Sequence, residues 1–206
     1  MQTINLEITL EDFLRDRTKL DQSTITNALT SIKDKYKEIT VKKGDFLLQP
    51  GEVCHHSFYV QKGLLRYYSV DSKGKEHILN FAPEGWFVTD RDSMYYGQPT
   101  IYFTEALEDS TIILLDKDFF TIFSSTCQSF IELNERLLQN HIRHLQKRIT
   151  QLLSATAEER YVDFVRIYPN IMARVPQWMV ASYLGIAPES LSRVRKDLAN
   201  KWKKSN

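Results

Sequence analysis

The residues best suited to chemistry lie near the C-terminal end. Glu189, Ser190, Ser192, Arg193, Arg195 and Lys196 follow closely on Val175-Pro176-Gln177-Trp178-Met179-Val180-Ala181-Ser182-Tyr183-Leu184-Gly185. Glu189 and Arg193 stand four residues apart, so on a helix they share a face. A carboxylate accepts from a base amino group and a guanidinium fork donates to a guanine edge, so the pair suits base readout in a major groove. Such side chains need a rigid mount, and the flanking residues supply a helix-turn-helix pattern. Ala181 is small where two helices cross steeply, and Gly185 accepts a positive φ in the turn. Pro188 fits a first helical turn, where no amide donor is missed. Ile186, Leu191, Val194 and Leu198 would bury the inner face of the second helix. An ordinary helical hairpin with an ion pair between Glu189 and Arg193 has the same spacing.

Other reactive side chains are less organised. In Cys54-His55-His56 the adjacent histidines would point to opposite faces of a strand, and no set of four metal ligands is evident. A turn or surface role is expected for this triplet. His141 and His144 lie one helical turn apart and read as polar residues flanking a seam, with a paired or metal-binding role as the alternative. No Gly-rich phosphate loop and no Ser-His-Asp arrangement stands out, so no catalytic residues, no metal and no cofactor are expected.

The elements that must hold these residues follow from periodicity. The first forty residues read as helical, with Ile25, Leu29 and Ile32 at helical spacing after a Ser23-Thr24 cap. The texture changes at Gly44. From there to Asp116 come short aromatic and β-branched runs separated by turns, which argues for a β-sandwich, roll or barrel. Leu64–Val70 and Glu76–Phe81 flank Asp71-Ser72-Lys73-Gly74 as a hairpin. A long helix is expected over Ser129–Leu153. Its residues Leu138, Ile142, Leu145, Ile149 and Leu152 are spaced 4, 3, 4, 3 in coiled-coil fashion. Thr156-x-x-Glu159 has capping-box form and opens a further helix that Pro169 stops.

Composition sets the frame. The 206 residues are 42% hydrophobic and 26% charged, an ordinary globular balance. The net charge of +1 hides an asymmetry: residues 171–206 hold seven basic and two acidic side chains, for +5, and the remainder carries −4. A small basic module on a mildly acidic body suggests an anionic partner. No apolar run approaches the ~18 residues of a membrane span, and the first residues lack a signal-peptide layout. Two cysteines make no disulfide framework, so a cytoplasmic location is expected.

Taken together, the motifs resemble those of the Crp/Fnr family of bacterial transcription regulators. The resemblance runs from about residue 40 to 200. It is carried by Gly44-Asp45-Phe46-Leu47, Gly51-Glu52, Phe58-Tyr59-Val60-x-x-Gly63, Tyr68-x-x-Asp71-x-x-Gly74-x-Glu76 and Phe81-x-Pro83-x-Gly85-x-Phe87. Further along, Ala157-Glu158-Glu159-Arg160 and Leu184-Gly185-Ile186-x-x-Glu189-x-Leu191-Ser192-Arg193 continue it. The resemblance implies an α+β fold: a double-stranded β-helix (jelly-roll, cyclic-nucleotide-binding-like) sensor domain with N-terminal helices over 1–128, a dimerisation helix over 129–154, and a winged helix-turn-helix DNA-binding domain over 155–206. It places Glu189 and Arg193 at base-contacting positions. Where the family often has a basic residue just before that Glu, Pro188 stands here, and the short tail beyond Trp202 leaves room for only a small wing.

The resemblance also implies a homodimer on near-palindromic double-stranded DNA, with RNA polymerase and a small-molecule effector as further candidate partners and no membrane. The family's cyclic-nucleotide cassette is a Gly-Glu pair and an Arg-Ser or Arg-Thr pair. Aligned here, the first falls on Thr89-Asp90 and the second on Thr100-Ile101, so the phosphate-binding Arg is absent, with Arg91 nearby. A pocket so altered argues against a response to cyclic AMP. Two other readings stay open: a cyclic-nucleotide-binding regulatory module acting on a protein partner, and a metal-dependent cupin-type enzyme. The second needs a His-x-His-x-Glu-like cluster that His55-His56 does not supply.

Overall fold

The computed structural model describes residues 7–205 and divides into two compact units. The first contains the described residues up to Ser69 together with Asn80–Asn140; the second contains Val70–Leu79 and the residues from His141 onward.

The first unit starts with α1 (Leu10–Thr18), where the Thr9 hydroxyl accepts from the Asp12 amide, and α2 (Gln22–Ser31). The cap of α2 is Asp21 rather than Ser23-Thr24: its carboxylate accepts from the Thr24 amide at 2.8 Å and from the Ser23 and Thr24 hydroxyls. An anion at this end also meets the positive pole of the helix. The helical stretch is shorter than expected, because Tyr36–Val41 is strand β1. Its Ile39 and Val41 alternate with exposed polar residues, a period of two that six residues display only weakly.

Seven strands follow: β2 (Phe46–Leu48), β3 (His56–Lys62), β4 (Leu65–Val70), β5 (Glu76–Ala82), β6 (Phe87–Val88), β7 (Tyr102–Ala106) and β8 (Ser110–Asp116). Together with β1 they make two four-stranded sheets, ordered β1-β8-β3-β6 and β2-β7-β4-β5. The ladders from β8 to β1 and β3, and from β7 to β2 and β4, are antiparallel. Leu48, Phe58, Val60, Leu65, Val88, Ala106 and Ile112 form the apolar interior of this roll. A second cluster joins α1 and α2 to Tyr59, Phe119, Phe123, Phe130 and Leu133. Gly63 is obligatory where the chain passes between β3 and β4. Its φ is +98°, and a Cβ there would lie 2.1 Å from the Ser110 hydroxyl. Cys54, expected in a turn or surface setting, is buried against the roll, and burial pushes its thiol pKa up.

A short helix α3 (Arg91–Tyr96) interrupts the strands, and α4 (Phe119–Ser124) follows them. The long helix α5 spans Gln128–Ser154, one residue beyond the expected bounds at each end. Beyond it, α6 (Ala157–Ile167), α7 (Gln177–Leu184) and α8 (Pro188–Ser205) complete the chain. The expected wing is not formed among the described residues, since α8 continues through Ala199-Asn200-Lys201-Trp202. That segment contains neither Gly nor Pro to end a helix. No described helix is long and apolar enough to cross a membrane.

Candidate nucleic-acid interface

The second unit is built around three aromatic rings. Phe164 and Tyr168 of the α6 segment meet Tyr183 of α7 at 5.3 and 5.6 Å, and all three are buried. The capping box forms: the Thr156 hydroxyl accepts from the Glu159 amide, and the Glu159 carboxylate accepts from the Thr156 amide. Val180, Ala181, Leu184 and Leu191 close the contact between α7 and α8 with essentially no exposure. Gly185 has φ +66°, the left-handed cap that turns the chain from α7 towards α8.

Two arginines fix the turn end of α7. The Arg148 guanidinium lies 3.9 Å over the Tyr183 ring and donates to the Tyr183 carbonyl, while Arg160 Nη1 donates to the Leu184 carbonyl at 2.7 Å. Carbonyls at a helix C-terminus lack intrahelical partners and carry partial negative charge, so cations satisfy them twice over. Burial lowers the Arg148 pKa from its ordinary value, but an arginine stays charged. Asp163 on α6 accepts from Lys147, Gln151 and Arg166, tying α6 to the last turns of α5. Apart from the Asp163–Arg166 pair within α6, these clamps were not evident from local spacing, because each joins different elements. The Arg160 match in Ala157-Glu158-Glu159-Arg160 gave the position but not the role.

On this mount Glu189, Ser192, Arg193 and Lys196 are exposed on one face of α8. Ser190 and Arg195 are half-buried and flank that face on either side. Four of the six expected contact residues are therefore brought together. The α5 seam residues Ile142, Leu145, Ile149 and Leu152 are 45–58% exposed, and Leu138 is half-buried. Phe130 and Leu133, on the other side of the helix, are buried in the first unit. Of the histidines beside the seam, His141 is exposed and His144 half-buried; burial and then the nearby His141 lower the His144 pKa.

In the roll, the altered cassette is satisfied internally. Asp90 is buried and caps α3, taking the Ser93 amide at 3.2 Å and the Thr100 hydroxyl at 2.5 Å. The Thr89 hydroxyl bonds Ser57, and the Ser93 hydroxyl accepts from the Cys54 amide. Tyr67 and Trp86 pack against the apolar interior, and burial followed by the Asp90 charge pushes the Tyr67 phenol pKa up. Arg91 and Ile101 do not join the group. Arg91 is exposed on α3 with its guanidinium 4.8 Å over the Tyr95 ring, and Ile101 is 67% exposed. His56 Nε2 lies 3.3 Å from Asp116, and the described residues contain no cluster of three or more metal-ligating side chains.

Comparison with known proteins agrees with this architecture. Residues 38–126 match the family model described as the cyclic nucleotide-binding domain. The transcriptional activator protein Anr of Pseudomonas aeruginosa is 28% identical over 167 residues, covering 75% of this chain and 67% of that protein. The regulatory protein HlyX of Actinobacillus pleuropneumoniae is 24% identical over 165 residues, covering 75% and 68%. The structure of FixK2 from Bradyrhizobium japonicum superposes with a TM-score of 0.67 at 19% identity, covering 81% of this chain and 85% of that one. In fold and in the order of its elements the chain resembles the Crp/Fnr regulators: a cyclic-nucleotide-binding-like roll, a long helix and a C-terminal helix-turn-helix. The two relatives named above are thus a transcriptional activator and a regulatory protein.

Proposed function

We propose that this chain is a homodimeric, sequence-specific DNA-binding transcription regulator of the cytoplasm whose DNA binding is independent of cyclic AMP and cyclic GMP. One observation supports this reading above the rest. Glu189, Ser192, Arg193 and Lys196 share the exposed face of a helix whose turn is fixed by Arg148 and Arg160. In a major groove, Glu189 and Arg193 address base edges and Lys196 meets phosphate. The seam of α5 supports a two-fold dimer, since four apolar residues at coiled-coil spacing stand about half exposed. Two recognition helices then favour a near-palindromic site with half-sites roughly 34 Å apart. RNA polymerase as a further partner rests on the family resemblance alone.

Independence from cyclic nucleotides follows from charge. A cyclic phosphate entering the roll needs a cation or several donors in place of water. Here the cassette presents the Asp90 carboxylate, whose bonds go to Ser93 and Thr100, while Arg91 lies on the outside. A buried charge without a partner costs several kcal/mol, and ~2.7 kcal/mol is already a hundredfold in affinity. Selection from genomic fragments by the purified protein tests the reading. Recovery of one near-palindromic motif, unchanged by added cyclic nucleotide, is expected; recovery of random fragments would overturn it.

A further inference from the structure

The β4–β5 hairpin tip, residues 70–79, folds as part of the unit that holds the helix-turn-helix. β5 is the edge strand of its sheet, and an edge strand presents backbone groups with no strand partner. Ser182 of α7 takes that place: its hydroxyl accepts from the Ile78 amide at 3.1 Å and donates to the Glu76 carbonyl at 2.9 Å. The turn is hydrogen-bonded within itself. Asp71 bonds His77 and accepts from the amides of Lys75 and Lys73, and these contacts hold its carboxyl pKa down to about 2. Between hairpin and helices runs a groove of about 660 Å³, where Lys75, Glu76 and His77 face Trp178, Ala187 and Pro188.

We infer that this hairpin is a second phosphate-contacting element for the duplex that α8 reads. The inference rests on the DNA-binding reading above and extends it to residues of the sensor-like sheet. Ala187 and Pro188 mark the N-terminal end of α8, the end by which a recognition helix enters the major groove. The sugar-phosphate strand bordering that groove must pass beside this end, and the hairpin presents Lys75 there with Lys73 next to it on the tip. Both lysines are exposed on a turn whose shape is already fixed, so little ordering is needed on contact. Contacts of this kind add affinity without reading sequence.

The test compares wild type with Lys73→Gln/Lys75→Gln on the selected duplex and on a random one, across salt concentrations. Each phosphate contact contributes about 0.9 to the slope of log affinity against log salt, so two contacts should lower it by about 1.8. A fourfold rise in salt would then weaken the variant about twelvefold less than wild type, with the preferred sequence unchanged. Ser182→Ala, which frees the hairpin, should shift the slope in the same direction. An unchanged slope in the double variant, or tighter binding by either variant, would overturn the inference and leave DNA binding intact. Failure of wild type to bind any duplex would remove the DNA-binding reading itself.

Discussion

Replacing Leu145 by Asp should dissociate the proposed dimer, and the magnitude follows from the exposure of the seam. Ile142, Leu145, Ile149 and Leu152 are each about half exposed in the single chain. Full burial of a Leu or Ile is worth about 1.5–3 kcal/mol, so covering the exposed half yields about 1 kcal/mol per residue, or about 8 kcal/mol over two chains. Association costs about 4–15 kcal/mol in lost freedom, so the seam is needed for dimerisation and has little surplus. Leu145→Asp removes about 1 kcal/mol from each chain. It also brings two carboxylates together at an isologous contact, and an uncompensated buried charge typically costs about 3–5 kcal/mol. The dissociation constant should therefore rise by about three orders of magnitude or more. Sedimentation velocity over the micromolar range reads this directly, with Thr150→Asp, exposed and turned away from the seam, as a control that remains dimeric. A wild-type monomer at micromolar concentration would refute the seam, as would a Leu145→Asp dimer of unchanged affinity.

Gly63→Ala should destabilise the fold by about 2–4 kcal/mol in denaturant unfolding, because backbone strain at φ +98° adds to a collision with Ser110. Wild-type stability in that variant would show that the β3–β4 connection can relax. Burial pushes the Asp163 carboxyl up, yet bonds from Lys147, Gln151 and Arg166 outweigh it and keep its pKa below the ordinary 3.8. Its stabilisation is thus complete at neutral pH and lost as pH falls below 3.8 through the folded-state pKa. Asp163→Asn should lower stability by about 1–2 kcal/mol at pH 7, since Lys147 and Arg166 are 44% and 71% exposed and regain water. The difference should shrink towards pH 2, and a gap independent of pH would contradict the clamp. Cyclic AMP and cyclic GMP at micromolar concentration should give no heat in titration calorimetry. Micromolar binding lost on Arg91→Ala would mean that Arg91 swings inward to serve as the phosphate partner.

The sequence was most readable where structure is local. The capping box at Thr156 and Glu159, the turn at Gly185 and the 4, 3, 4, 3 spacing on α5 each depend on neighbours within a few residues, and all are present. β1 was hidden because its partner β8 lies some seventy residues away and supplies the pairing that six residues cannot announce. The cap of α2 went to Asp21 rather than Ser23 or Thr24, because a carboxylate one turn earlier can take both hydroxyls and the amide together. Arg148, Arg160 and Ser182 carried no local signal, since their partners are backbone groups of other elements. The cassette was legible as a set of altered positions. That Asp90 and Thr100 would bond each other, with Arg91 and Ile101 outside, required the fold.

The most direct measurement is a binding selection on random duplex DNA with wild type and Arg193→Ala side by side. Loss of one base contact should cost roughly 1–3 kcal/mol and relax preference at a single position in each half-site, leaving the palindrome and its spacing intact. Lys196→Ala, run in parallel, should weaken all sequences alike and reduce the salt dependence by about one contact. If Arg193→Ala retained the full wild-type preference, α8 would not be the element that reads the groove.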